Sequence, residues 1–280
     1  MYIPILGAFL EATAMTLEKE VMKKKKVNYK NYTVYGFLAI VLVMLPFAFF
    51  FWKIDNEALE TKNLLIFFSI VFISILANIL TYYSLKRENL SVLEPVRMLQ
   101  PLFTILLAVI LYSSERKLSV FVLAIIASIA LISGHIKKHH LVYDKYIIAA
   151  LFGSLFFAIE LVMSKSILSY YNSFTFYFLR CLMIFLITLA IFRPKVSMDK
   201  KTKFMICIIA IIWVSFRIIM YYGYEAYGIV FTTIMFILTP VFIFIFAKIF
   251  LKEKITIRHI ISAIIIVVCV VLAVILENAF

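Results

Sequence analysis

Six ionisable side chains stand deep inside apolar stretches of the chain: Glu11, Glu94, Arg97, Glu160, Arg180 and Arg217. At mid-membrane each would cost about 2.5–3.5 kcal/mol by insertion scales, so six facing lipid would cost roughly 15–20 kcal/mol, more than the stability of a typical fold. They therefore face one another or a water-filled cavity. Two chemistries fit such a set: structural ion pairs that hold helices in register, and a polar pathway that binds a solute or relays protons. Three acids against three arginines suit a zwitterionic or polar solute better than a bare cation.

Spacing narrows the roles. Glu94, Arg97 and Pro101 fall at i, i+3 and i+7, one helix face carrying an ion pair beside a kink, because a proline removes a backbone hydrogen bond mid-helix. Pro240 makes a second kink of the same kind. The Glu94–Arg97 pair either fixes register or lines a cavity, and the sequence leaves both open. Arg217, Tyr221 and Glu225 follow one another by i+4 steps, and Asn78, Tyr82 and Lys86 repeat that spacing with unlike chemistry, as the two faces of a substrate pocket would. Tyr82, Tyr83, Tyr221, Tyr222 and Tyr224 offer hydroxyls and π-faces to a ligand or form an aromatic belt at the interface; Tyr82 and Tyr221 are read as pocket, Tyr224 as belt. Glu160 and Arg180 each sit about two turns into consecutive helices, so an antiparallel arrangement brings them to similar depth, with Tyr177 one turn before Arg180. They form a structural salt bridge or belong to the substrate or proton pathway, with Glu160 able to carry a proton. Glu11 is a second proton-relay candidate. Lys19 and Lys165, at helix ends, are read as snorkelling to the interface.

Other chemistries are poorly supported. There is no GxxxxGK[ST] and no HExxH, and Asp55, Asp144 and Asp199 all fall in connections, so neither an ATP-driven engine nor an intramembrane protease is expected, and the chain is read as no enzyme. Cys181, Cys207 and Cys269 lie in apolar stretches without a CxxC spacing, and His139, His140 and Asp144 read as solvated loop, so no metal and no cofactor is expected. At 280 residues, 65% apolar and only 15% charged, the composition is that of a membrane protein and not of a soluble domain.

The elements that must position these residues are ten apolar stretches of about 20 residues, each long enough to cross a hydrocarbon core of roughly 30 Å. They run Tyr2–Met22, Tyr32–Trp52, Leu64–Leu85, Val92–Tyr112, Leu118–Ile136, Tyr146–Leu168, Ser173–Phe192, Phe204–Tyr224, Ile229–Phe250 and Ile257–Leu276. The first lacks a preceding basic residue and a following small-residue cleavage site, and is read as a retained helix. No alternating strand pattern appears, so an all-α bundle satisfies the backbone in lipid. Of 28 Lys and Arg, 20 fall in the odd-numbered connections and five on the side of the even-numbered ones and the termini. That bias makes the odd connections cytoplasmic and both termini external, in a multi-pass protein of the cell membrane. The net charge of +13 thus reports sidedness, not nucleic acid. The Lys23–Lys26 run could contact anionic headgroups, and the same sidedness explains it without any ligand.

The chain also repeats itself. Gly7 and Lys19 recur as Gly153 and Lys165 at an offset of 146, and Tyr82, Tyr83 and Pro101 recur as Tyr221, Tyr222 and Pro240 at an offset of 139. Two five-helix halves follow, 1–138 and 139–280, and because five is odd the second enters the membrane inverted. An early glycine and a terminal lysine in the first helix of each half, an aromatic pair ending the third, and a proline in the fourth followed by an acidic loop (Pro101 to Glu115, Pro240 to Glu253) resemble the EamA domain of the drug/metabolite transporter superfamily over the whole chain. The resemblance implies a secondary transporter or exporter of a small organic metabolite, working by alternating access between inverted repeats, or alternatively a flippase-like translocator of a lipid-linked carrier. Its partners would be a small-molecule substrate, the lipid bilayer and protons as coupling ion, with monomer and homodimer both open and substrate, direction and coupling unassigned.

Overall fold

The computed structural model describes residues 3–88, 93, 96–135, 144–194, 198–242 and 257–278. Ten α-helices follow one another among them: α1 Ile3–Lys23, α2 Tyr29–Phe51, α3 Thr61–Arg87, α4 Leu99–Leu111, α5 Leu118–His135, α6 Lys145–Leu168, α7 Ser173–Phe192, α8 Lys200–Ala226, α9 Ile229–Phe236 and α10 Ile257–Asn278. Five of them, α2, α3, α6, α7 and α8, are long and apolar enough to cross a membrane. Glu94, His139, His140, Glu253 and most of the stretch between the two halves lie outside the described residues.

Three helix starts are set by side chains. Asn28, Asn172 and Asp199 each accept the backbone N–H three residues on, from Asn31 at 2.8 Å, Thr175 at 2.7 Å and Thr202 at 3.1 Å. Helices α2 and α8 therefore begin three and four residues before their apolar stretches, since a capped, polar first turn needs no hydrocarbon around it. The even-numbered connections meet at one end of the bundle. There Ile54 bridges Tyr171, Asp55 N–H donates to the Tyr170 carbonyl at 2.9 Å, and the Thr175 hydroxyl donates to that of Phe51 at 2.9 Å. At the other, lysine-rich end Lys24 Nζ donates to Thr202 Oγ1 at 2.7 Å, and Lys86 Nζ to the Met22 and Lys24 carbonyls at 2.8 and 2.9 Å.

Helix α1 packs along α8, α6 along α3, α2 on α7 and α5 on α10. Adding five to each helix number exchanges the first two pairs and returns the other two to themselves. Lipid gives no hydrophobic drive to association, so close backbone approach must supply the packing, and small residues provide it. Gly7, Ala8 and Ala12 of α1 and Gly153, Ser154 and Ala158 of α6, all at an offset of 146, are buried seams. A Cβ on Gly153 would lie 2.8 Å from Thr81 Oγ1 and 3.4 Å from the Ala77 carbonyl on α3. Gly153→Val is expected to destabilise the detergent-solubilised protein by about 1–3 kcal/mol through overpacking. Gly36→Ala, where a Cβ meets nothing nearer than 4.0 Å, should leave the unfolding midpoint unchanged or raise it. Equal midpoints for the two variants would show that the α3–α6 seam is not tight.

The fourth and ninth stretches are interrupted, not continuous. The chain turns at Met98 before Pro101, and at Ile237 and Leu238 before Pro240. In the second break the hydrogen bonds shift to i→i−3, Leu238 N–H donating to the Met235 carbonyl at 3.2 Å and Val241 N–H to that of Leu238 at 3.0 Å. Neither proline can donate to the carbonyl four residues back, which frees those of Arg97 and Phe236.

Candidate functional site

Where the two breaks face each other, a cavity of about 80 Å³ is lined by Glu11 of α1, Arg97, Gln100, Pro101 and Thr104 around α4, Met220 and Tyr224 of α8, and Thr233, Thr239 and Pro240 around α9. Phe216, Phe236, Met15, Met98, Leu161 and Ile237 make its apolar wall. Four pairs in that lining, Arg97 with Phe236, Met98 with Ile237, Gln100 with Thr239 and Pro101 with Pro240, differ by 139, the offset that relates Tyr82 to Tyr221. Thr239 Oγ1 donates to Glu11 Oε2 at 2.8 Å, so the acid from one half is held by a hydroxyl from the other. Arg97 supplies the opposite charge. Tyr224, expected in the interfacial belt, is instead 1% exposed and lines this cavity.

Behind the α6 and α8 wall lies a second cluster. Arg180 Nη1 of α7 donates to Glu160 Oε1 of α6, and Tyr221 OH (3.2 Å) and Ser164 Oγ (3.3 Å) donate to the same oxygen. Glu160 Oε2 meets Arg217 Nη1 at 3.7 Å and has no hydrogen-bond partner among the described residues. The Arg180 guanidinium lies 5.2 Å over the Tyr177 ring and 5.7 Å over that of Tyr221, and Arg217 lies 5.9 Å over Phe157. The structure thus brings together Glu160, Arg180, Tyr177, Arg217 and Tyr221. One fully buried carboxylate serves two buried guanidiniums.

A third cluster contains Glu18, which escapes a reading of the sequence. Glu18 is 3% exposed; Tyr32 OH donates to its carboxylate at 2.9 Å, Tyr82 and Trp213 face it, and the charge of Arg97 acts on it. Glu18 sits among Lys19, Glu20 and Lys23 and reads as the polar end of a helix. The signal that finds it is its position eleven residues after Gly7 and seven after Glu11, on the one face that turns inward. Glu18 thus adds a buried acid to those singled out from the sequence. The two aromatic nests correspond. Tyr32 stacks edge-on against Tyr82 at 4.9 Å as Phe176 does against Tyr221 at 5.2 Å, at offsets of 144 and 139. Their acids do not correspond, because Glu160 matches Ala14 and Glu18 matches Ser164, one turn further along.

Asn78 keeps the register of Arg217 but not its role, its Nδ2 donating to the Ser74 carbonyl of its own helix at 2.7 Å. Glu225 lies near the surface, 3.4 Å from Ser173 Oγ. The two lysines read as snorkelling are tied into the protein. Lys19 Nζ donates to the Leu85 and Glu88 carbonyls at 2.8 and 2.7 Å, completing the end of α3, and Lys165 pairs with Glu115. A helix end leaves four carbonyls without partners, and a lysine one helix away satisfies them better than it could by reaching for headgroups.

Over residues 1–134 and again over 144–275, the sequence matches the model of the EamA-like transporter family. No curated protein matches the chain. A solved structure described only as "Crystal structure of protein" superposes with a TM-score of 0.75 at 12% identity, covering 99% of this chain and 97% of that one. The likeness is one of fold.

Proposed function

The chain belongs to the EamA-like transporter family, whose members are membrane transporters of small substrates, and from that premise we propose that it is a secondary transporter or exporter of a small organic metabolite. Halves 1–138 and 139–280 are taken as inverted repeats that rock about the central cavity to give alternating access. The observation that carries this reading is the four pseudo-equivalent pairs in the cavity lining, which support a cavity on an axis relating the halves, between two proline-broken helices. The exchange of the α1–α8 and α6–α3 pairs supports it. Broken helices are tolerated in a bilayer where they line a cavity. Glu11 and Arg97 on opposite walls, with Gln100 and three threonines between them and an apolar remainder, suit a zwitterionic solute with a modest apolar part. Among the described residues, Glu11, Glu18 and Glu160 offer carboxylates for coupling to protons. The lysine-rich end is taken as cytoplasmic, with both termini external in the cell membrane.

The test is a thermal-shift screen of the purified protein against amino acids, organic cations, nucleotide sugars and lipid-carrier headgroups, with Glu11→Gln and Arg97→Ala alongside. A solute that binds the folded state raises the midpoint by mass action. Loss of a charged hydrogen bond at Arg97 is expected to weaken the hit by about 1.5–3 kcal/mol, a factor of roughly 10 to 100 in Kd. Hits that neither substitution weakens would remove the solute from the cavity. Responses confined to the lipid-carrier headgroups would replace this reading with translocation of a lipid-linked carrier.

A further inference from the structure

We propose that Glu115 is a latch that closes the even-numbered end of the pathway, binding the α4–α5 connection to the end of α6 and the start of α9. The proposal rests on the alternating-access reading and adds to it the contact that must break. Glu115 lies in the short turn Ser113–Glu115, yet it is 6% exposed. Its Oε1 accepts from Lys165 Nζ and from Ile229 N–H at 2.8 Å, and its Oε2 accepts from Val230 N–H at 3.0 Å. Two of these donors are the unpaired amides opening α9, where the helix dipole favours an anion. Tyr112, three residues earlier, donates to the Val162 carbonyl of α6 at 2.9 Å, and Lys165 sits 5.5 Å over its ring.

Gly228 makes the contact possible. Its φ of 87° turns the chain into α9, and a Cβ there would fall 2.9 Å from Glu115 Oε1. On the outer side of the latch a cavity of about 260 Å³ is lined by Ser114, Glu115, Lys117, Lys165, Tyr227 and Gly228. On the inner side the next turn of α9, beginning at Thr233, lines the central cavity, about 6 Å along the helix from Ile229. One turn of helix separates the two spaces, and Glu115 holds that turn. At the opposite end the pseudo-equivalent lysine, Lys19, donates to the Leu85 and Glu88 carbonyls.

The experiment uses the full chain in proteoliposomes with Thr233→Cys as a reporter in the central cavity and a small membrane-impermeant thiosulfonate reagent added to one side. Labelling of the native cysteines is subtracted, and Asn56→Cys and Lys25→Cys identify the even and odd sides. Without further change the reporter is expected to react from the odd side and to be protected from the even side. Glu115→Gln should raise the even-side rate about tenfold or more as the population shifts. Gly228→Ala, which pushes against the same carboxylate, should do so independently if Glu115→Gln fails to fold. Folded variants with unchanged even-side labelling, in a protein that still labels from the odd side, would overturn the latch and leave alternating access standing. A reporter unreactive from both sides in every variant would overturn the transport pathway and the latch together.

Discussion

Replacing Glu160 by alanine is expected to destabilise the protein by about 3–5 kcal/mol, because it strands two buried guanidiniums at once. Glu160 is the only carboxylate among the described residues within 4 Å of either Arg180 or Arg217. Arg180→Ala should cost less, about 1–3 kcal/mol, since Glu160 keeps Arg217, Tyr221 and Ser164 as neighbours. Glu160→Gln should fall between them: the amide still accepts from Tyr221 but no longer offsets the charge of either arginine. Unfolding of the purified variants by heat or by titration with a denaturing detergent would give the order directly. An Arg180 variant as damaged as Glu160→Ala would mean that the carboxylate is not the shared centre. In the solute screen Glu160→Gln has a second use. The cluster lies behind the cavity wall, joined to it through Leu161, Phe216 and Met220. A variant that stays folded but loses its ligand response would place Glu160 on the pathway; one that keeps the response would make the cluster the support that holds the wall.

What the sequence discloses and what it hides follow from how local each interaction is. Glu160 and Arg180 are 20 residues apart in consecutive helices, so their depths can be counted from one short connection, and the pair is legible without coordinates. The two halves are legible because Gly7 with Gly153, and Pro101 with Pro240, keep identity at a fixed offset. Glu115 reaches α9 across 114 residues and Thr239 reaches Glu11 across 228, and no periodicity carries that information. Asn78 marks another limit. Spacing places it in the register of Arg217, but its neutral amide turns back to the Ser74 carbonyl of its own helix, and nothing in the pattern says so. Helix boundaries differ in both directions, since α9 stops at Phe236 where its proline-bearing stretch breaks while α2 and α8 start early. Apolar stretches end where hydrocarbon ends, whereas α2 and α8 continue to capping residues in the polar layer.

Removing Glu18 gives the second large effect. Glu18→Ala is expected to cost about 2–3 kcal/mol, the penalty for leaving the buried Tyr32 hydroxyl without an acceptor while taking a compensating charge from beside Arg97. Tyr32→Phe removes the donor instead and should cost about 1 kcal/mol, since the carboxylate retains Tyr82 and Trp213 as neighbours. In the double variant the two losses should not add, because the second change removes a partner already missing. An additive double mutant would show that Tyr32 and Glu18 act separately. Glu18→Gln separates charge from hydrogen bonding: it keeps an oxygen for Tyr32 and, if the acid carries a proton during transport, it should preserve folding and solute binding while abolishing the pH dependence of uptake into proteoliposomes. Uptake that keeps its full pH dependence in Glu18→Gln would leave Glu11 and Glu160 as the remaining described carboxylates able to couple transport to protons. The position of Glu18 makes it the one to examine first. It lies five residues from the lysine-rich end of α1, while Glu11 lies eight from the other end, so a proton entering from the lysine-rich end meets Glu18 before the central cavity.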